Sequence, residues 1–264
     1  MRLAIAGACG QMGTRLVHMI ADAKDLKLAA AVERPSHPDL GKDIGELAGR
    51  GRLGVPLVDA YRGGADVLLN FTVANDGIIQ TARACAETKT ALVVATTLLS
   101  KRQTAAIKQA SRKIPCIISP NMSIGVNLLF EIAPQVARLL GDDYDIEIIE
   151  THHRFKKDAP SGTAVKLADK VAEAVGRTMA KVGVYGRHGD VGQRTKKEIG
   201  VHAVRGGDVV GDHTIVFAAL GERIEITHRA HSRDLFARGA LNVARFLVGR
   251  KPGMYDMADV LKTQ

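Results

Sequence analysis

Apolar positions in the first half of the chain fall into short runs separated by amphipathic stretches. The runs at Arg2 to Gly7, Leu28 to Glu33, Asp66 to Thr72, Ala91 to Thr96 and Cys116 to Ser119 predict strands. Apolar residues at helical spacing over Met12 to Ala23, Asn75 to Glu87 and Lys101 to Lys113 predict the helices between them. Strands apolar on both faces that alternate with helices define an α/β protein with a Rossmann-type doubly wound parallel sheet. After Asn121 the rhythm changes. A long helix (Val126 to Leu140), a strand (Asp145 to Glu150), a helix (Thr163 to Val175) and a glycine- and charge-rich loop (Gly176 to Lys197) lead to three strand-like runs, Ile199 to Arg205, His213 to Leu220 and Arg223 to Ala230. Consecutive strands with tight turns predict a central α+β domain with an open mixed sheet, and the last helical stretch, Arg233 to Val248, is expected to rejoin the first domain. The expected boundaries are 1–123 with 233–264 for one domain and 124–232 for the other.

Composition narrows the function classes. At 264 residues and 46% apolar the chain can bury a full core. No apolar run is expected to reach the length of a membrane span, and Leu3 to Ala6 stops at Gly7, too soon for a signal-peptide core, so the expectation is a cytoplasmic protein. Cys9, Cys85 and Cys116 are odd in number and far apart, which argues for buried thiols over a disulfide framework or a zinc site. The net charge of +9 fits either nucleic acid or anionic small molecules; with 4% aromatics and no tryptophan to stack bases, the second is the better reading.

Two segments carry chemistry. Gly7-Ala8-Cys9-Gly10-Gln11-Met12-Gly13 follows the first strand, opens the first helix, and is matched by Glu33 at the end of the second strand. Glycines there let backbone approach a pyrophosphate at the helix N-terminus, and Glu33 is placed to accept hydrogen bonds from ribose hydroxyls. That favours NAD, whereas Arg34 beside it suits the 2′-phosphate of NADP, so NADH and NADPH both stay open.

The second segment runs from Glu150 through His152, His153, Arg154, Lys156 and Lys157 to Ser161, Gly162 and Thr163. Clustered cations before a helix opening predict an anion site, and an imidazole that titrates near neutrality suits a general acid. Neighbouring residues on an extended segment face opposite ways, so His152 and His153 are not expected to share a metal. No nucleophile competes: Ser161 lacks the Gly-x-Ser-x-Gly elbow, and Cys9 is expected to pack. A hydride carrier on one domain and an acidic substrate with a proton donor on the other make the reaction class reduction.

At these residues the chain resembles the 4-hydroxy-tetrahydrodipicolinate reductase (dihydrodipicolinate reductase) family of bacterial diaminopimelate and lysine biosynthesis. The resemblance also rests on Asn70-Phe71-Thr72, on Ser119 to Asn127, on Arg205 to His213 and on Gly221 to His228. It implies that His152 donates the proton, that Lys156 binds and polarises the substrate, and that His153, Ser161, Gly162 and Thr163 hold a carboxylate. It further implies a dinucleotide site on Gly7 to Gly13, Glu33, Arg34, Phe71, Ala95, Thr96, Thr97, Ser119, Pro120, Asn121 and Met122, and a homotetramer assembled through the substrate-binding domain. Against the family pattern, Gln11 replaces an arginine, Asn70 an aspartate, Ala95 and Leu98 two glycines, and Phe155 a histidine. Leu98 is expected to resist the left-handed backbone that a glycine adopts freely. Two other readings stay in play: a reductase of the same fold for another cyclic imine acid, and a non-catalytic dinucleotide sensor.

Overall fold

A computed structural model of the chain describes residues 1–263. Two compact units emerge, residues 1–124 with 234–264, and residues 125–233. The first contains β1 (Arg2–Ala6), α1 (Gln11–Asp22), β2 (Lys27–Val32), α2 (Ile44–Leu47), β3 (Leu57–Val58), β4 (Val67–Asn70), α3 (Gly77–Glu87), β5 (Ala91–Val94), α4 (Lys101–Ala110) and β6 (Pro115–Ile118). The second contains α5 (Ile124–Leu140), β7 (Asp145–His152), α6 (Gly162–Ala174), α7 (Met179–Val182), β8 (Gly183–Val184), β9 (Ile199–Arg205), β10 (Gly211–Ala219) and β11 (Glu222–Ala230). The chain then returns to the first unit as α8 (Asp234–Leu247), β12 (Gly253–Tyr255) and α9 (Met257–Leu261).

The first sheet has seven strands in the order β12-β6-β5-β4-β1-β2-β3, all parallel. Its strands are buried on both faces, and side-chain alternation sorts each one between two cores. Leu3, Ile5, Val67, Leu69 and Val93 join α1 and α8 on one face, through Leu16, Val17, Ile20, Leu241 and Leu247. Ala4, Ala6, Leu68, Leu92 and Val94 join α3 and α4 on the other, through Ile78, Ala82 and Ile107. Each such large side chain contributes roughly 1.5–3 kcal/mol on burial, so neither face can be left open. From β1 the chain proceeds one way to β2 and β3 and the other way to β4, β5 and β6. The carboxyl ends of β1 and β4 therefore flank the crevice where ligands bind in such sheets.

The second sheet is mixed, in the order β11-β10-β7-β9-β8, with β10 antiparallel to both neighbours and β7, β9 and β8 parallel. Its inner face packs against α5 and α6 through Ile146, Ile148, Val201, Ile215 and Phe217. Contrary to the sequence expectation, Ile124–Asp143 is long and apolar enough to cross a membrane by length and composition. Its apolar positions are used otherwise: Val126, Leu129, Phe130, Ala133 and Ala137 fill this core. The short elements α2, β3, α7, β8, β12 and α9 were not anticipated, since two to five residues carry too little periodicity to read.

Candidate active site

Strand β7 builds the chemistry of the second unit by simple alternation. Ile146, Ile148, Glu150 and His152 are its buried positions, so the inner face passes from apolar to ionisable along one strand. Neighbouring strands repeat the gradient: Arg205 is registered beside His152 on β9, and His213 opposite Glu150 on β10. The result is one connected polar cluster at the end of the core.

Glu150 is fully buried. Its Oε2 receives His152 Nδ1 at 2.5 Å and Arg205 Nη1 at 2.8 Å, while its Oε1 receives Arg205 Nη2 at 2.8 Å and the Ser161 backbone N–H at 2.9 Å. Burial pushes the Glu150 carboxyl up, but Arg205, His152 and the Ser161 amide outweigh it and hold it below the usual range. His152 is pushed down by burial first, and then by Lys156 and Arg205, with Glu150 opposing. His213 lies edge-on to His152 at 5.2 Å between ring centroids and exchanges a hydrogen bond with Ser161 Oγ at 3.1 Å. Burial holds it neutral, with a pKa of about 3.

Ser161 is the N-cap of α6, and its Oγ accepts the Ala164 N–H. The sequence placed the Ser161 hydroxyl on a ligand, but in the fold its hydroxyl and its amide are both engaged internally. The groups of this turn that lie nearer solvent are Gly162, which is exposed, and Thr163, which is half-buried. His153 follows the end of β7, half-buried where His152 is buried, with its ring 6.2 Å from that of Phe155. Phe155 itself is exposed. Lys156 is half-buried and paired with Asp158 at 3.0 Å, so this cation has an internal counter-ion that the sequence reading had not given it. Arg154 and Lys157 are exposed.

In the first unit, the loop after β1 fits a dinucleotide. Gly7 has φ +82°, and a Cβ there would lie 3.1 Å from the Phe71 carbonyl oxygen. At Gly13 a Cβ would lie 2.1 Å from the Gly7 carbonyl oxygen, so only glycine lets α1 pack this tightly on the loop. Helix α1 is capped by Gly10 and has no acidic residue in its first turn, which leaves its positive end open to an anion. Gln11 is exposed at that turn, while Ala8 is buried and Met12 half-buried against the core. Glu33 accepts the Cys9 N–H at 3.2 Å and the Arg34 N–H at 3.2 Å, which ties its carboxylate to the glycine loop. The Cys9 thiol is raised to about 11, by burial first and then by Glu33 and Asp39, and is therefore unreactive.

Residues after β4, β5 and β6 gather at the same end of the sheet. Thr96 Oγ1 donates to the Thr72 carbonyl at 2.8 Å and lies 3.4 Å from Asn70 Oδ1, which also accepts the Thr72 N–H at 3.1 Å. Ala95 is half-buried and Thr97 exposed. Ser119 Oγ donates to the Asn121 carbonyl at 2.7 Å, and Pro120 is exposed beside it. Met122 differs from the rest of its group: its side chain is buried in the core of this unit, leaving only backbone for a ligand. Leu98 takes the left-handed conformation at φ +58° that its side chain was expected to resist, and it is 93% exposed.

Sequence reasoning passed over Glu150, Arg205 and His213 as functional residues. The signal was present at Glu150, an acid in the buried register of an apolar strand two residues before a histidine. Arg205 and His213 are recognisable only once strand pairing brings them to it.

A dinucleotide-type sheet joined in one chain to a separate unit bearing a histidine–carboxylate–arginine cluster is the design of a Rossmann-type NAD(P)H-dependent oxidoreductase. Comparison with known proteins specifies which. Residues 1–122 match the family model "Dihydrodipicolinate reductase, N-terminus" and residues 125–261 match "Dihydrodipicolinate reductase, C-terminus". The chain belongs to the dihydrodipicolinate reductase family. It is 49% identical to the 4-hydroxy-tetrahydrodipicolinate reductase of Anaeromyxobacter dehalogenans (strain 2CP-1 / ATCC BAA-258), covering 98% of this chain and 97% of that one. It is 46% identical to the enzyme of the same name from Syntrophus aciditrophicus (strain SB), covering 97% of each. Among solved structures it is similar in fold to the dipicolinate-bound dihydrodipicolinate reductase of Paenisporosarcina sp. TG-14, with TM-score 0.73, 23% identity and 98% of each chain covered.

Proposed function

We propose that this protein reduces 4-hydroxy-tetrahydrodipicolinate to tetrahydrodipicolinate with NADH or NADPH, in the cytoplasmic synthesis of diaminopimelate and lysine. Exchanging a hydroxyl for hydrogen consumes one hydride and one proton and releases water. The bound dinucleotide supplies the hydride. Gly7, Gly10 and Gly13 would admit its pyrophosphate to the N-terminus of α1, Glu33 would hold the ribose, and Arg34, exposed beside Glu33, would receive a 2′-phosphate. Phe71, Ala95 to Thr97 and Ser119 to Met122 form the remaining wall of that site.

His152 gives the proton. Its ring is depressed by burial and by neighbouring cations, and a docked dicarboxylate brings two negative charges that raise it again, so that it loads a proton when substrate arrives. Lys156 and His153 face the substrate, and Gly162 and Thr163 at the start of α6 take a carboxylate; Ser161 supports them from behind. The observation that carries this reading is the buried, hydrogen-bonded imidazole of His152, joined through Glu150 to the turn that opens α6.

The test uses the aldolase product of pyruvate and aspartate semialdehyde, with initial rates measured for NADH and NADPH in turn. Oxidation of either cofactor is expected. His152→Gln should lower kcat by about two to four orders of magnitude, the usual worth of a positioned acid, while pyridine-2,6-dicarboxylate still binds. Wild-type turnover by that variant removes His152 from its role. Phe155, an exposed apolar ring where the resemblance implies histidine, favours a second reading, a different cyclic imine acid as substrate. Intact NADPH binding with no turnover of the lysine-pathway intermediate would support it.

A further inference from the structure

The Glu150 carboxylate has every acceptor position filled by a different demand: two bonds from Arg205, one from the ring of His152, one from the amide of Ser161. We propose that Glu150, clamped by Arg205, is the positioning residue that fixes the tautomer and aim of His152, so that the transferred proton leaves from Nε2, and that the same carboxylate locks this ring to the turn opening α6. The inference rests on the proton-donor reading of His152.

An ionised carboxylate only accepts, so the 2.5 Å contact makes Nδ1 of His152 a donor and leaves Nε2 as the atom that gains and loses the transferable proton. That atom is the one turned toward Gly211, where a Cβ would lie 2.9 Å from it; any other residue at 211 would crowd the delivering edge of the ring. Other charged or titratable groups near the ring are Lys156, Arg205 and His213. Two of these are cations and the third is neutral, so Glu150 is the group that favours imidazolium. When the proton leaves Nε2, Nδ1 keeps its own, and no heavy atom has to move. The Ser161 amide on the other carboxylate oxygen holds the helix opening in register with the ring.

A double-mutant cycle separates positioning from folding. Glu150→Gln keeps the size of the side chain and removes its charge. In the wild-type background it should lower kcat by about 100-fold, the order of a misassigned general acid, with KM and the Kd of pyridine-2,6-dicarboxylate changed by no more than about three-fold. In the His152→Gln background the same change should lower kcat by less than about three-fold. The strongly deshielded ring N–H proton of His152 seen by NMR in the wild type should vanish in Glu150→Gln. Equal losses in both backgrounds, or a parallel loss of dicarboxylate binding and kcat, overturns the proposal. If Glu150→Gln does not fold, Glu150→Asp, which withdraws the charge by one methylene, is read instead: about a ten-fold fall in kcat supports the proposal and wild-type kcat overturns it. Should His152→Gln itself turn over normally, the donor reading fails, while the His152 resonance and its dependence on Glu150 still report on the coupling.

Discussion

Leu98 carries a local contradiction. At φ +58° an L side chain crowds its own backbone at about 1–2 kcal/mol, and at 93% exposure Leu98 gains almost nothing from burial to offset that cost. Glycine removes the crowding but adds unfolded-chain entropy worth roughly 0.5–1 kcal/mol. Leu98→Gly should therefore raise stability by about 0.5–1 kcal/mol, read as a higher urea midpoint at unchanged m-value. A lower midpoint would mean that the leucine makes contacts of its own. The residue scale also explains which parts of the site could be read early. His152 and Lys156 stood out because their residue types are rare in such density. Ser161 was read as a ligand contact because nothing local shows that Glu150 and His213 already occupy it.

The two helix openings proposed to take anions differ in how tightly they are packed. At α1 a side chain on Gly13 would meet the carbonyl oxygens of Gly7 and Ala8 at 2.1 and 2.6 Å, both backbone atoms that cannot swing away. At α6 a side chain on Gly162 meets nothing within 4 Å. Gly13→Ala should cost about 1–3 kcal/mol, the range for overpacking a rigid site, and weaken dinucleotide binding with it. Gly162→Ala should leave stability within about 0.5 kcal/mol of the wild type, yet raise KM for the dicarboxylate by about ten-fold, because the backbone N–H is kept but the added methyl crowds the approach of a carboxylate to it. Denaturant titration and steady-state kinetics on the two variants check both halves. Long elements such as β1, α1, α5 and β9 were readable from periodicity, whereas the single-turn helix α7 and the two-residue strand β8 inside the loop after α6 were not.

For the whole molecule, the outer face of the mixed sheet is the candidate surface for assembly. Ile149 and Val204 are 39% and 47% exposed on strands β7 and β9, and Thr214 and Thr227 are hydrogen-bonded to each other at 3.0 Å across β10 and β11. The same face carries Glu147 with Arg187, Arg194 and His202 bonded to it, so apolar, hydroxyl and charged positions are interleaved there; we propose that this mixed face pairs with another copy of the chain in a homotetramer. Light scattering should give a wild-type mass of four chains and a smaller one for Ile149→Lys, whose charge lies on the face and away from His152 on the opposite side of the strand. A single-chain mass for the wild type rejects the tetramer.

Periodicity, glycine spacing and the density of imidazoles and cations determined, from the sequence by itself, the parallel sheet, the mixed sheet, the glycine cradle and the segment that holds His152. These are local quantities, set by side chains three or four residues apart or by one turn's need for a bare Cα. Tertiary structure decided how that segment works: Arg205 is 55 residues from Glu150 in sequence, and His213 is 52 from Ser161, yet each is within hydrogen-bonding distance. Strand register alone creates such neighbours. The same register put Arg205 and His213 around Glu150, an acid whose place on an apolar strand the sequence shows but whose partners it does not, and made that glutamate the centre of the polar cluster.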